Sequence, residues 1–208
     1  MESRKIIWER CCTCSEEVAV AALGRASRVE LCEALELDGV TPSRSNIEKS
    51  LLQGVAVNVM VRPRGGDFLY SETEIQEMLD SIAMCGDLGV CDIVSGALDE
   101  EGRVDERATV RLVRRAADFG LGFTFHRAFD LCTDKASALE SLIAAGCTRV
   151  LTSGGAASAM EGASVIESLV KQAEGRIIVM PGGGVTPANV ERLRALTGVS
   201  EFHGTKLY

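Results

Sequence analysis

Short apolar runs rich in Val, Ile and Phe recur at 5–11, 28–32, 55–63, 92–98, 122–129, 148–154, 176–184 and 200–204. Between them lie longer segments with apolar residues at helical spacing, at 15–25, 44–53, 71–88, 105–119, 135–145, 162–172 and 187–196. Ser71 followed by Glu74 reads as a capping box, and Thr186 ahead of Pro187 reads as an N-cap. Regular alternation of strand and helix demands parallel strands with helical crossovers, and eight repeats close most naturally into a (β/α)₈ barrel, a TIM barrel. An open doubly wound sheet is the competing arrangement, and no GxGxxG follows the first strand to favour it. No linker or low-complexity tract interrupts the rhythm, so residues 1–208 read as one domain. The final C-terminal helix is missing from the pattern, because the sequence ends at Tyr208 directly after the eighth strand, whose apolar face is expected to be exposed.

Side chains alternate across a strand, so parity assigns each to the helices or to the lumen. In the third strand Val57, Val59 and Val61 share one face, while Asn58, Met60 and Arg62 share the other. By the same rule Glu30 and Cys32, Thr124 and His126, Glu9 and Cys11, and Glu201 and His203 form polar pairs. With apolar faces turned to the helices, Arg62, Glu30, His126, Thr124 and Cys32 converge inside the barrel mouth. Charge there implies either a ligand or a structural ion pair such as Glu30 with Arg62.

The loops add to that picture. RPRGGDF (62–68) leaves Arg62, Arg64 and Asp67 at the end of a strand, and two arginines suit a carboxylate or phosphate. TSGGA (152–156) and PGGGV (181–185) offer backbone N–H groups to an anion through Thr152, Gly154, Gly182 and Gly183, or simply make tight turns. The second of these runs into a helix expected from Pro187, where a barrel commonly binds phosphate.

Charge and cysteine content narrow the partners. A formal net charge of −8 argues against nucleic acid, and no apolar run reaches the roughly 18 residues of a membrane span. The start MESRKIIWERCC lacks the apolar core of a signal peptide, which predicts a soluble intracellular protein with reduced cysteines. Among its eight cysteines, Cys85, Cys91, Cys132 and Cys147 read as small buried hydrophobes.

VELC (29–32), VMVRPRGGDF (59–68), TFHRAFD (124–130), RVLTSG (149–154), VMPGGGVT (179–186) and EFH (201–203) together resemble the signature segments of the CutC copper homeostasis family, in order along nearly the whole chain. The resemblance implies a TIM barrel, a cytoplasmic homo-oligomer (a homodimer or homotetramer, with the nucleus also open) and a role in copper tolerance. It places the family's cysteines on Cys11 and Cys32. Soft thiolates and thioethers select Cu(I), and Met60 shares the lumen parity of both cysteines on a third successive strand. Cys12 and Cys14 depart from the family pattern. The expectation is Cu(I) held by Cys11 and Cys32, with Met60 as a third donor and no organic cofactor. The alternative is an enzyme acting on a small anionic substrate, with Arg62 and Arg64 gripping the anion, His126 as general acid or base and Glu30 as its partner.

Overall fold

Strand and helix alternate through the whole of a computed structural model of the protein, which describes residues 5–24 and 26–206. The strands are β1 (Ile7–Cys12), β2 (Arg28–Leu31), β3 (Ala56–Met60), β4 (Asp92–Ser95), β5 (Gly122–Phe125), β6 (Arg149–Thr152), β7 (Ile178–Pro181) and β8 (Glu201–Gly204). The helices between them are α1 (Ser15–Leu23), α2 (Arg44–Leu51), α3 (Glu72–Leu88), α4 (Glu106–Ala117), α5 (Lys135–Ala145), α6 (Ala163–Ala173) and α7 (Val190–Thr197). All strand pairs are parallel, in the order β7-β6-β5-β4-β3-β2-β1-β8. β8 and β7 come together at the remaining seam without a hydrogen-bonded ladder, so the sheet forms a nearly closed TIM barrel.

The predicted strands are longer than the observed ones because apolar runs continue into loops. The stretch predicted as strand at 122–129 leaves the sheet after Phe125, and a 3₁₀ turn at Arg127–Leu131 carries the chain across the mouth. Helix α3 starts as expected: the Ser71 side chain accepts from Glu74 N while Glu74 reaches back to Ser71 N. Thr186 does not cap α7. Its carbonyl accepts from Asn189 and Val190, which holds 187–189 in a turn, and the helix begins only at Val190. The expected end of the first helix at Arg25 and the chain end at Tyr208 lie outside the described residues.

Val57, Val59 and Val61 are buried beneath the helices, as parity requires, and they join one continuous core that runs between sheet and helices. Cys85, Cys132 and Cys147 belong to that core, whereas Cys91 is exposed because it precedes β4 and is not yet part of the alternation. The apolar face of β8 is also covered rather than exposed. Phe202 is fully buried, with its ring 5.9 Å from that of Trp8, its register partner on β1. Phe202→Ala is therefore expected to destabilise the protein by about 3–5 kcal/mol, the usual range for emptying a core aromatic site. Chemical denaturation of the variant against the parent measures it, and a loss under about 1 kcal/mol would contradict this account of β8.

Candidate functional site

The lumen is polar from its base upward. Each of β2, β6 and β8 begins with a charged residue whose parity turns it inward: Arg28, Arg149 and Glu201. Arg28 Nη2 donates to Glu201 Oε2 at 2.7 Å and Arg149 Nε donates to the same oxygen at 2.9 Å. Arg28 also bonds Glu9, and Arg149 lies 3.5 Å from Asp92 on β4. One level higher, Glu9 accepts from Asn58 Nδ2 at 2.9 Å and from His203 Nδ1 at 2.9 Å. Charges removed from water in this way persist only when paired, and here two arginines and a histidine face the acids.

Above Glu9 stands Glu30, its register neighbour Cys11 on one side and Asn58 on the other. Burial drives the Glu30 carboxyl pKa up, the His203 charge opposes that, and Glu9 adds to it. Glu9 is equally buried, yet its bonds to His203 and Arg28 outweigh the burial and hold it well below the ordinary carboxylate range. Burial alone would lower His203, but Glu30 and Glu9 raise it to about 9. At neutral pH an imidazolium thus sits between the two acids.

The top of the lumen is sulfur-rich. Cys11 Sγ and Cys32 Sγ lie 3.7 Å apart, and with a Glu30 carboxylate oxygen they form a group whose ligand atoms are all within 4.8 Å of one another. Met60 and Val94 pack against Cys32 from the next two strands. Sharing a hydrogen bond with Cys32, burial and the Glu30 charge all push the Cys11 thiol pKa far up. Cys12 is buried in the hydrophobic core, and neither it nor Cys14 lines the cavity described next. The sulfurs form the floor of a cavity of about 790 Å³ that opens at the C-terminal ends of the strands. His126, Phe68, Arg127, Gly183 and Gly184 line its walls.

A sequence profile of the CutC family matches residues 6–208. The chain belongs to the CutC family. It is 45% identical over 201 residues to a CutC family protein of Parabacteroides distasonis, covering 96% of this chain and 82% of that protein. It is 44% identical over 199 residues to the human protein named copper homeostasis protein cutC homolog, covering 95% and 72%. Among solved structures, the CutC protein of Streptococcus agalactiae superposes with a TM-score of 0.91 at 34% identity, covering 98% of this chain and all of that one. A deoxyribose phosphate aldolase from Aeropyrum pernix superposes at 0.70 with 13% identity, over 97% and 85%, which shows a common fold and nothing more.

Several residues expected at the site of this CutC barrel do other work. Arg62 is buried and donates to three backbone carbonyls, Leu37 O at 2.7 Å, Gly39 O at 3.0 Å and Gly66 O at 2.8 Å, so it clamps two loops together and does not pair with Glu30. Arg64 is turned away from the cavity, bonded to Glu74, to Asp67 at 3.0 Å and to Leu69 O at 2.7 Å. Thr124 accepts from Arg149 at the barrel base. Thr152 and the amides of the TSGG loop are already occupied by an anion from within the chain. The Asp130 carboxylate accepts from Thr152 Oγ1, Ser153 N and Gly155 N, while Gly154 N donates to Thr152 Oγ1 at 2.8 Å. Gly182 N donates to Thr152 O, and a Cβ there would sit 2.5 Å from Leu151 Cδ1, so close packing accounts for that glycine. His126 is fully buried and neutral: burial and then Arg62 lower it to about 3. Its expected partner Glu30 faces His203 instead.

Sequence reasoning put Glu9, Glu201 and His203 on the polar faces of their strands without giving them a role, and passed over Arg28 and Arg149. Parity marks all five, since each is two or four positions from a lumen residue on its own strand or begins a strand with the same phase. The His203 charge makes stability depend on pH in a fixed direction. Its pKa is raised from 6.5 to about 9 on folding, so its contribution is complete below about 6.5 and is lost as pH rises through 9. Denaturation midpoints of the parent should fall between pH 6.5 and 9, and His203→Gln should be less stable at pH 6 and lack most of that slope. Equal slopes in the two proteins would contradict the assignment.

Proposed function

We propose that this CutC-family protein serves copper homeostasis by holding Cu(I) between the Cys11 and Cys32 sulfurs. The reading is carried by one observation: two thiols from adjacent strands face each other at 3.7 Å on the floor of an open cavity. Soft sulfur donors prefer Cu(I) to harder divalent ions, and Met60, packed against Cys32, adds a thioether at the same level. His203 lies beneath them, and its positive charge offsets the negative charge that a dithiolate would bring into the barrel. The family membership and the printed name of the human relative support the same reading.

Metal binding must expel the proton that Cys11 holds firmly at neutral pH. Affinity for Cu(I) therefore rises with pH, by roughly tenfold per pH unit for each proton released. An anaerobic titration against a competing chelator is expected to find one Cu(I) per chain, tighter binding at pH 8 than at pH 6, and loss of the site in the Cys11→Ser, Cys32→Ser double variant. Replacement of the exposed Cys91 by Ser should change nothing. Copper binding that survives the double variant, or that weakens with rising pH, would remove this proposal.

A further inference from the structure

Copper on two sulfurs leaves most of the cavity unexplained. Three buried polar atoms on residues that line it have no hydrogen-bond partner among the described residues: Arg62 Nε, His126 Nε2 and Glu30 Oε2, the last of which lies 4.0 Å from His203 Nδ1. Buried polar groups are nearly always satisfied, and exceptions at a cavity wall mark places where a ligand completes them. Their roles are complementary. His126 Nδ1 accepts from Ala128 N at 3.3 Å, so the ring carries its proton on Nε2 and offers a donor, whereas Glu30 Oε2 offers an acceptor.

The rim of the same cavity is built for negative charge. Arg127 Nε donates to Asp130 at 2.8 Å and Nη2 donates to Ser153 Oγ at 3.0 Å, which fixes the guanidinium plane. Asp130 in turn is satisfied by the TSGG loop behind it, so the arginine's remaining face is turned to the rim. Nη1 donates to no described residue and lies 3.4 Å from where a methyl group on Gly183 would stand. Gly183 has φ +90° and Gly184 φ +70°, conformations that side chains rarely adopt, and neither N–H donates to another described residue. A guanidinium nitrogen and two open amides beside it are the donor set of an oxyanion site.

We propose that the cavity binds a small polyhydroxylated metabolite bearing a phosphate or carboxylate, its oxyanion on Arg127 Nη1 and the Gly183 and Gly184 amides, its hydroxyls on Glu30 and His126. The volume of about 790 Å³ admits a molecule of sugar-phosphate size above the sulfur floor. Arg127, His126 and the Gly183 and Gly184 amides belong to none of the groups that could hold copper, so the proposal is tested through them separately from the metal reading.

The test is isothermal titration of the full chain with inorganic phosphate, ribose 5-phosphate and ribonate, which separates phosphate from carboxylate as the source of the oxyanion. The expected result is one site per chain, with at least one of the two five-carbon compounds binding at least tenfold more tightly than inorganic phosphate. Arg127→Gln should weaken every anion that binds by tenfold or more. His126→Asn keeps an acceptor for Ala128 N and removes the Nε2 donor, so it should weaken the five-carbon ligand and leave inorganic phosphate unchanged. Cu(I) affinity should be the same in both variants. Should a variant fail to fold, the parent alone gives the answer: the five-carbon ligand must raise the thermal unfolding midpoint of the parent above the value that an equal concentration of inorganic phosphate gives. No binding at millimolar concentration, binding indifferent to both variants, or a five-carbon compound no tighter than phosphate would overturn the proposal.

Discussion

Charge neutralisation inside the barrel governs everything above it. A lumen of this size is ordinarily packed with branched aliphatic side chains, yet here Arg28, Arg149, Asp92, Glu201 and Glu9 fill its lower half. Such a network tolerates no error of register. A one-residue slip of β8 would bring Phe202 into the charged interior and thrust Glu201 among the helices, leaving both arginines without their shared acceptor. With β8 fixed by Glu201, His203 must stand one level up beside Glu9, and that imidazolium lets Glu30 remain buried level with Cys11. The sulfur floor therefore inherits its position from an ion network with no chemistry of its own.

The strand phases carried most of the information that could be read in the sequence. Alternation within VNVMVR, VELC and ERC sent Met60, Glu30, Cys32 and Cys11 into one lumen, and the structure brings the two sulfurs within contact of each other. The loops were illegible for a physical reason. An arginine beside glycines looks like an anion grip, but Arg62 serves carbonyl groups of a loop 23 and 25 residues earlier, and carbonyls leave no mark in a sequence. The TSGG loop likewise offered the right donors, and the anion they bind is Asp130, more than 20 residues away along the chain. Thr186 illustrates the local counterpart: a correct capping residue type was overridden by Asn189, whose side chain accepts from Thr186 N and so favours a turn before the helix.

Soft and hard chemistry thus occupy different depths of one cavity. Sulfur lies at the bottom, with a carboxylate and an imidazole just above or beside it, and the guanidinium and open amides stand at the rim. The family assignment covers nearly the whole chain, and the resemblance to an aldolase barrel speaks only to the frame that carries both depths. Because the donors come from β1, β2, β5 and the loop after β7, no single segment of chain contains either half of the site.

The depth of Cys32 has a consequence for traffic. Cys32 is 1% exposed and packs against Gly39, whose carbonyl accepts from Arg62. A metal-carrying protein cannot bring its own ligands to such a sulfur by docking on the outside, since surface-to-surface transfer needs both donor sets to meet around the ion. On the copper reading proposed above, whatever passes an ion to this floor has to be small enough to enter the mouth, so exchange would follow the concentration of low-molecular-weight thiol complexes rather than the affinity of any protein–protein encounter.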